Sequence, residues 1–523
     1  MDFSTCVLGI ELGSTRIKGV LIDENHDVIA SGSYGWENSL VNGVWTYELK
    51  DAVIGVQTCF AQLKKDAEQK FGQPLTKVAA IGISGMMHGY LAFDKKDNQL
   101  APFRTWRNTI TGPASCELTE LFKFNIPQRW SIAHLYQAIL NQEDHIDKIA
   151  RLTTLSGYIH YLLTGKFVTG IDEASGMFPY DDQTGDFDAK RVAQFDELVA
   201  PYGFPWKLRQ ILPQVLPAGA CAGVLTEDGA KLLDISGTLE AGLPMCPPEG
   251  DAGTGMVATG AVHPRTGSIS AGTSAFSLQV LEHPLKGYYP EIDVCCTPAG
   301  KTVAMAHCNN CTSDIDAWVG LLADAAKVLG AEVDKNELYG KLFRIALEGE
   351  ADCGGIVSFN YLAGEHLTKT ETGRPMVVRL PGSHMNTANF MRAQLNAAIS
   401  TLAYGMQMLQ EKEAVESDML LGHGGFFKTP GVGQQILANA LNVPITTMET
   451  AGEGGPWGMA LLAAYMVRKA EGETMEDYLK NKVFANAKSV TVDPEAEGVE
   501  GFKKYLERYK AALAAEQAAA AMH

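Results

Sequence analysis

The sequence predicts an α/β protein built from two similar halves, and three observations carry that expectation. Short apolar strands joined by tight turns open the chain and give way to helix–strand alternation. A Gly-[Ser/Thr]-[Ser/Thr] turn between two strands occurs at Gly13-Ser14-Thr15 and again at Gly272-Thr273-Ser274. At roughly 150 residues per domain, 523 residues that are 46% hydrophobic and 20% charged can bury several cores.

The elements follow in order. Residues 6–11 (CVLGIE), 17–22 and 28–33 alternate or run apolar between turn residues and read as three strands. Val53, Val56, Phe60 and Leu63 recur at helical spacing across 49–70. Residues 78–83 form a buried-type strand that ends in Ser84-Gly85-Met86-Met87-His88-Gly89. The pattern restarts with strands at 267–271 and 275–281 around the second turn. A helix over 389–408, a strand at 419–421, a helix reaching about 441 and an apolar helix over 459–466 complete the second half. The alanine-rich tail from about 500 reads as a peripheral helix. The expected domains are residues 1–262, 263–475 and a helical tail, 476–523, packed on the second domain.

Composition excludes several classes of function. With 43 Lys+Arg against 61 Asp+Glu the net charge is −18, the opposite of a nucleic-acid-binding face. The apolar run 1–10 lacks a basic lead and a small-residue cleavage site, so it reads as a strand. No uninterrupted apolar stretch reaches the ~18 residues of a membrane span. A cytoplasmic protein that contacts no membrane is expected. Ten cysteines in a chain of this length are too sparse for a disulfide scaffold. The Cys308-x-x-Cys311 pair has no second pair at zinc-site spacing and reads as buried thiols. Fifty-three glycines exceed the usual share of about 7%, without a collagen period, which points to special backbone turns.

Those turns are the candidate sites. Glycine followed by Ser or Thr offers backbone N–H groups that a phosphate can approach closely. Lys18 could add a point charge beside the first turn, with Arg16 expected on the other face of its strand. Asp251, in Gly250-Asp251-Ala252-Gly253-Thr254-Gly255, reads either as a turn former or as a carboxylate able to take a proton from a hydroxyl. Met87-His88 and Trp106-Arg107-Asn108 would together form a polar and aromatic pocket suited to a sugar. Gly422-His423-Gly424-Gly425 opens a helix and could support a planar base, with Phe426 or Phe427 nearby.

In this order and spacing, the segments GIELGSTRIKGVLID (9–23), ISGMMHGYLAFD (83–94), TGKFVTGIDEASGMFPYD (164–181), EGDAGTG (249–255), SAGTS (270–274), YLAGEH (361–366) and LGHGGFFKTPGVGQQILANALNVPI (421–445) resemble the FGGY family of carbohydrate kinases. The resemblance spans about residues 5–470 and is most similar to xylulokinases and related ketose kinases. It implies two ribonuclease H-like, actin-like ATPase domains flanking a nucleotide and sugar cleft, with ATP and Mg2+ as cofactors. It implies Asp251 as the catalytic base, and Met87, His88, Trp106, Asn108 and Asp251 as sugar contacts. Gly13, Ser14, Thr15, Lys18, Gly272 and Thr273 would hold phosphates. Gly422, Gly424, Gly425 and Gly455 would lie at the nucleotide, and Glu11 and Asp251 at the metal.

Four departures stand out. Glu11 occupies the place of the family's first-strand Asp. Trp106-Arg107-Asn108 replaces Trp-Asn-Asp, Ala252 replaces an Asn, and Gly364-Glu365-His366 replaces Gly-Glu-Arg. The leading expectation is phosphorylation of a ketose such as xylulose, with ribulose, another ketose or a sugar acid as alternatives. A sugar sensor without turnover and an ATP-driven chaperone or filament protein are the competing classes. A homodimer is compatible with each.

Overall fold

The computed structural model describes residues 1–448 and 454–522. The chain divides into two compact units, neither contiguous in sequence. The first comprises residues 1–262, 287–303 and 453–487, and the second comprises 263–286, 304–452 and 488–523.

In the first unit, β1 (Val7–Leu12), β2 (Arg16–Ile22) and β3 (Val28–Gly35) form an antiparallel meander. β4 (Ala80–Gly85) and β5 (Glu249–Gly250) extend the sheet in parallel from β1, giving the order β5-β4-β1-β2-β3. The helix Leu49–Phe71 packs against β3 and β2. The helix Gly454–Arg468 packs on β1, β4 and the helix Asp251–Thr259. Two glycines make these close approaches feasible. A Cβ at Gly9 would lie 2.3 Å from the Pro456 carbonyl oxygen, and one at Gly32 would lie 2.1 Å from that of Cys59. Part of the glycine excess is therefore helix-on-sheet packing rather than turns. Residues between β4 and β5 build a second core around Trp130, Tyr136, Phe178 and Phe195.

The second unit repeats the plan. β6 (Thr266–Ala271) and β7 (Ala275–Val280) form an antiparallel hairpin, with β8 (Thr302–Cys308) beyond β7. β9 (Met419–His423) runs parallel to β6 and β10 (Ile445–Met448) parallel to β9. The order β10-β9-β6-β7-β8 is that of the first unit, with β11 (Ser489–Val492) added antiparallel to β10. The repeated turn thus marks a repeated sheet topology.

Two expectations change. Residues 454–487 pack with the first unit, because the Gly454–Arg468 helix is nearly all apolar and lies on β1. The tail helix, Ala496–Ala519, is not peripheral: Tyr505 and Tyr509 are buried, and Tyr509 stacks on Phe359 at 4.5 Å. Its alanines mask three aromatic anchors, Phe502, Tyr505 and Tyr509, at helical spacing on one face.

Candidate active site

The first turn is held from behind. Trp36 Nε1 donates to the Gly13 carbonyl at 2.7 Å, the Tyr47 hydroxyl donates to that of Ser14, and Trp36 N–H donates to that of Thr15. All three carbonyl oxygens of Gly13-Ser14-Thr15 are thereby occupied, which removes the groups that would repel an anion. Trp36 and Tyr47 stack at 4.2 Å and make this brace rigid. Lys18 is exposed and faces Glu11 across β1 and β2. Arg16 shares that exposed face rather than the opposite one, as the two-residue period of a strand requires.

One row across the sheet carries Lys18, Glu11, Ser84 and Glu249 in register. Burial and the neighbouring Asp251 carboxylate push Glu11 up to about 8, against the opposing pull of Lys18. Thr254 Oγ1 donates to Glu11 Oε2 at 3.4 Å. Gly455 lies against the same carboxylate: a Cβ there would sit 1.5 Å from Glu11 Oε2. The space beside Gly455 is thus filled by the Glu11 carboxylate, which any side chain at this position would displace.

Asp251 is the first residue of the helix Asp251–Thr259, not part of a glycine loop. Its Oδ1 accepts from Met87 N–H at 3.3 Å. Asp251 is exposed at its tip, yet the surrounding protein desolvates it and raises its pKa, opposed by N–H groups of Met87, Asp251 and Ala252. A base raised toward neutrality accepts a proton more readily.

Behind it stand three carboxyls that sequence reasoning quoted within motifs without assigning. Asp172 accepts from Gly253 N–H at 2.9 Å and so caps the Asp251 helix. Glu249 accepts from the N–H groups of Ile171, Asp172 and Glu173 and caps the helix Ile171–Ser175. The two segments cap one another reciprocally, which explains how a glycine-rich stretch becomes helical. Burial and mutual repulsion hold Asp172, Glu173 and Glu249 above the ordinary carboxylate range. Folding therefore requires Glu173 to take up a proton once pH exceeds the ordinary glutamate value of 4.5, and that cost grows as pH rises. Glu173→Gln is expected to raise the thermal unfolding midpoint at pH 8 and to change it little at pH 5. An equal shift at both pH values, read by calorimetry, would contradict this.

Met87 and His88 follow β4. His88 has φ +70°, a costly conformation for a residue with a Cβ and of the kind found at ligand sites, and Gly89 follows at φ +89°. His88 Nδ1 lies 3.1 Å from the Gly176 carbonyl oxygen. A carbonyl only accepts, so Nδ1 carries the proton and Nε2 keeps its lone pair. Burial, with the Arg129 guanidinium nearby, depresses His88 to about 3 and keeps it neutral. A Cβ at Gly176 would meet Nδ1 at 2.7 Å, so only glycine permits this contact. Arg129 itself is paired with Asp293, which also accepts from Asn125 Nδ2 at 3.0 Å. Sequence reasoning missed this cluster.

Trp106 is 40% exposed and its Nε1 donates to Ser14 Oγ at 3.2 Å, joining the aromatic candidate to the first turn. Asn108 does not reach a ligand surface. It is 1% exposed, with its amide donating to the carbonyls of Trp45 and Thr105 and accepting from Trp45 N–H. It clamps the loop that presents Trp106, correcting the sugar contact expected of it. Arg107 stacks on Trp45 at 3.8 Å and donates to Asn38.

In the second unit, Thr312 N–H and Oγ1 both donate to the Gly272 carbonyl, and Cys311 N–H donates to that of Thr273. The carbonyls are again turned to fixed donors. A Cβ at Gly272 would meet nothing within 4 Å, so the fold itself does not need glycine there. Gly424 and Gly425 are exposed, and Gly424 has φ +104° with its Cα packed on Ala271. Gly422 lies in β9 under the Phe427 ring, and Phe426 is fully buried. The surface open to a base is therefore Gly424-Gly425, not Gly422 or Phe426. Residues 452 and 453 of the glycine segment before the Gly454–Arg468 helix lie outside the described residues.

Among the described residues no group of three or more His, Cys, Asp or Glu could hold a metal ion, and no helix is long and apolar enough to cross a membrane. Glu11 and Asp251 still fit a divalent ion brought in by a nucleotide. They are hard oxygen donors whose mutual repulsion a cation would relieve, and such ions need only one or two protein carboxylates beside phosphates.

Comparison with known proteins identifies the family and the fold. Residues 6–245 match the model of the N-terminal domain of the FGGY family of carbohydrate kinases, and residues 267–467 match that of the C-terminal domain. A xylulose kinase of Haemophilus influenzae is 22% identical over 514 residues, covering 96% of this chain and 98% of its own. A xyloylose kinase from Brucella ovis has the same fold, with TM-score 0.78 at 20% identity, covering 98% of this chain and 99% of its own. A gluconate kinase from Lactobacillus acidophilus has TM-score 0.79 at 18% identity, covering 99% of both chains.

Proposed function

Since the chain belongs to the FGGY family of carbohydrate kinases and is an ATP-dependent sugar kinase, we propose that its acceptor is a neutral ketose, foremost a pentulose such as xylulose. Asp251 takes the proton of the attacking hydroxyl as the sugar oxygen bonds to the γ-phosphorus and ADP leaves. The braced turns at 13–15 and 272–274 hold phosphate oxygens. Mg2+, with Glu11 and Asp251 as its protein donors, supplies charge neutralisation on the phosphoryl group when bound.

The observation that carries the acceptor class is the His88 tautomer. Its Nε2 is then left to accept, which suits a donating sugar hydroxyl and offers nothing to a carboxylate. The nearby cations also favour a neutral sugar over an acid. Arg129 is paired with Asp293, and Arg107 lies flat on Trp45 with one nitrogen donating to Asn38.

The test is an ADP-release screen over pentuloses, heptuloses, polyols and aldonic acids. A pentulose is expected to give the highest kcat/KM, with aldonic acids at least about tenfold lower, the size of one misplaced hydrogen bond. His88→Phe is expected to raise the KM of the sugar about tenfold or more and to leave that of ATP unchanged. Preference for an aldonic acid, or binding of sugar with no ADP formed, would overturn the assignment.

A further inference from the structure

Two sequence features remain without a role in this reading: the Cys308-x-x-Cys311 pair and the Glu365 of the departed Gly-Glu-Arg segment. The structure brings them together. Glu365 is 1% exposed, and its Oε1 accepts from Asn309 N–H at 2.5 Å, Asn310 N–H at 3.0 Å and Asn310 Nδ2 at 2.8 Å. Asn310 Oδ1 in turn accepts from Leu362 N–H at 2.8 Å and Ala363 N–H at 2.9 Å, and its Nδ2 also donates to the Ala363 carbonyl. The loop 308–312 is thus bonded to the 361–365 segment from both sides of one asparagine. Cys308 and Cys311, each 1% exposed, anchor its ends as small apolar groups.

The far end of the same loop carries the donors that occupy the second turn. Cys311 N–H reaches the Thr273 carbonyl at 3.0 Å, and Thr312 N–H and Oγ1 reach that of Gly272 at 2.9 and 2.7 Å. Asn360 Nδ2 donates to the Cys311 carbonyl at 2.8 Å and fixes that peptide. We propose that Glu365, through the 308–312 loop, is a positioning residue for nucleotide binding, holding the Gly272-Thr273-Ser274 turn with its carbonyls turned away from the phosphates. The inference rests on the reading of this turn as a phosphate site. Burial pushes Glu365 up to about 7, and its Oε2 has no hydrogen-bond partner among the described residues. A carboxylate left so poorly solvated is unfavourable for stability alone, and its retained oxygen is the one that fixes the loop.

The test compares four variants by their KM for ATP, their KM for the sugar acceptor and their unfolding midpoints. Thr312→Val removes one donor to Gly272 at nearly constant shape, and Glu365→Ala removes the anchor. Glu365→Gln keeps an oxygen in the Oε1 position, and Gly272→Val obstructs the turn at a position where a Cβ meets no protein atom within 4 Å. Thr312→Val is expected to raise the KM of ATP about fivefold and Glu365→Ala about tenfold or more, with the sugar KM unchanged. Glu365→Gln is expected to stay within about threefold of the parent. If Gly272→Val weakens ATP while Thr312→Val and Glu365→Ala leave its KM unchanged, the positioning role is wrong and the phosphate turn stands. If Gly272→Val binds ATP normally, the phosphate reading falls and the inference with it. If Glu365→Ala does not fold, Thr312→Val decides by the same criterion.

Discussion

Asp251→Ala is expected to lower turnover at least about a hundredfold while ATP binding stays close to that of the parent, because a positioned base contributes about 10²–10⁴ in rate. The carboxylate is raised by desolvation, accepts from Met87 N–H and sits at the start of a helix capped by Asp172. Its loss removes the proton acceptor and one of the two carboxylates assigned to the metal, while Glu11 and both turns assigned to the nucleotide phosphates stay in place. Asp251→Asn keeps the shape and the Met87 contact and should be nearly as inactive. Parent-like turnover in either variant, measured by ADP release under saturating sugar and ATP, would remove Asp251 from the mechanism.

Gly455→Ala is expected to lower kcat/KM about a hundredfold with little loss of stability. The introduced methyl would lie 1.5 Å from Glu11 Oε2 and 2.5 Å from Glu11 Cδ. The colliding group is the end of a flexible side chain, so Glu11 moves and the fold survives. A displacement of about 1 Å at a catalytic site can cost about 10² in rate. Glu11→Asp draws the carboxylate back by one methylene. The double variant Glu11→Asp/Gly455→Ala should therefore recover at least about tenfold over Gly455→Ala, a non-additivity expected of residues in contact. If the double variant is no better than Gly455→Ala, the pairing of the longer acid with this glycine is mistaken.

The two hairpins and their turns were legible because strand alternation and Gly-[Ser/Thr] chemistry are local. Their repetition announced the repeated sheet order as well. What lay outside reach depends on partners distant in sequence. Asp172 caps Gly253 from 81 residues away, and Arg129 meets Asp293 across 164 residues. Asp251 looked like a turn residue because glycines disfavour helix; the cap from Asp172, the close packing of Gly253 against it and the Gly454–Arg468 helix reverse that preference. Asn108 has the residue type of a sugar contact, yet its amide is consumed by the Trp45 and Thr105 backbone, which no local pattern reveals. The tail misled for a simpler reason: alanine content hid Tyr505 and Tyr509.

The proposed function turns on transfer of a phosphoryl group from ATP to a ketose hydroxyl. The most direct measurement is 31P NMR of the 523-residue chain with ATP, Mg2+ and xylulose, recorded with ADP release. A new phosphomonoester resonance is expected to grow in step with ADP and to be absent with Asp251→Asn. Release of ADP and inorganic phosphate without a sugar phosphate, at a rate independent of the sugar, would contradict it.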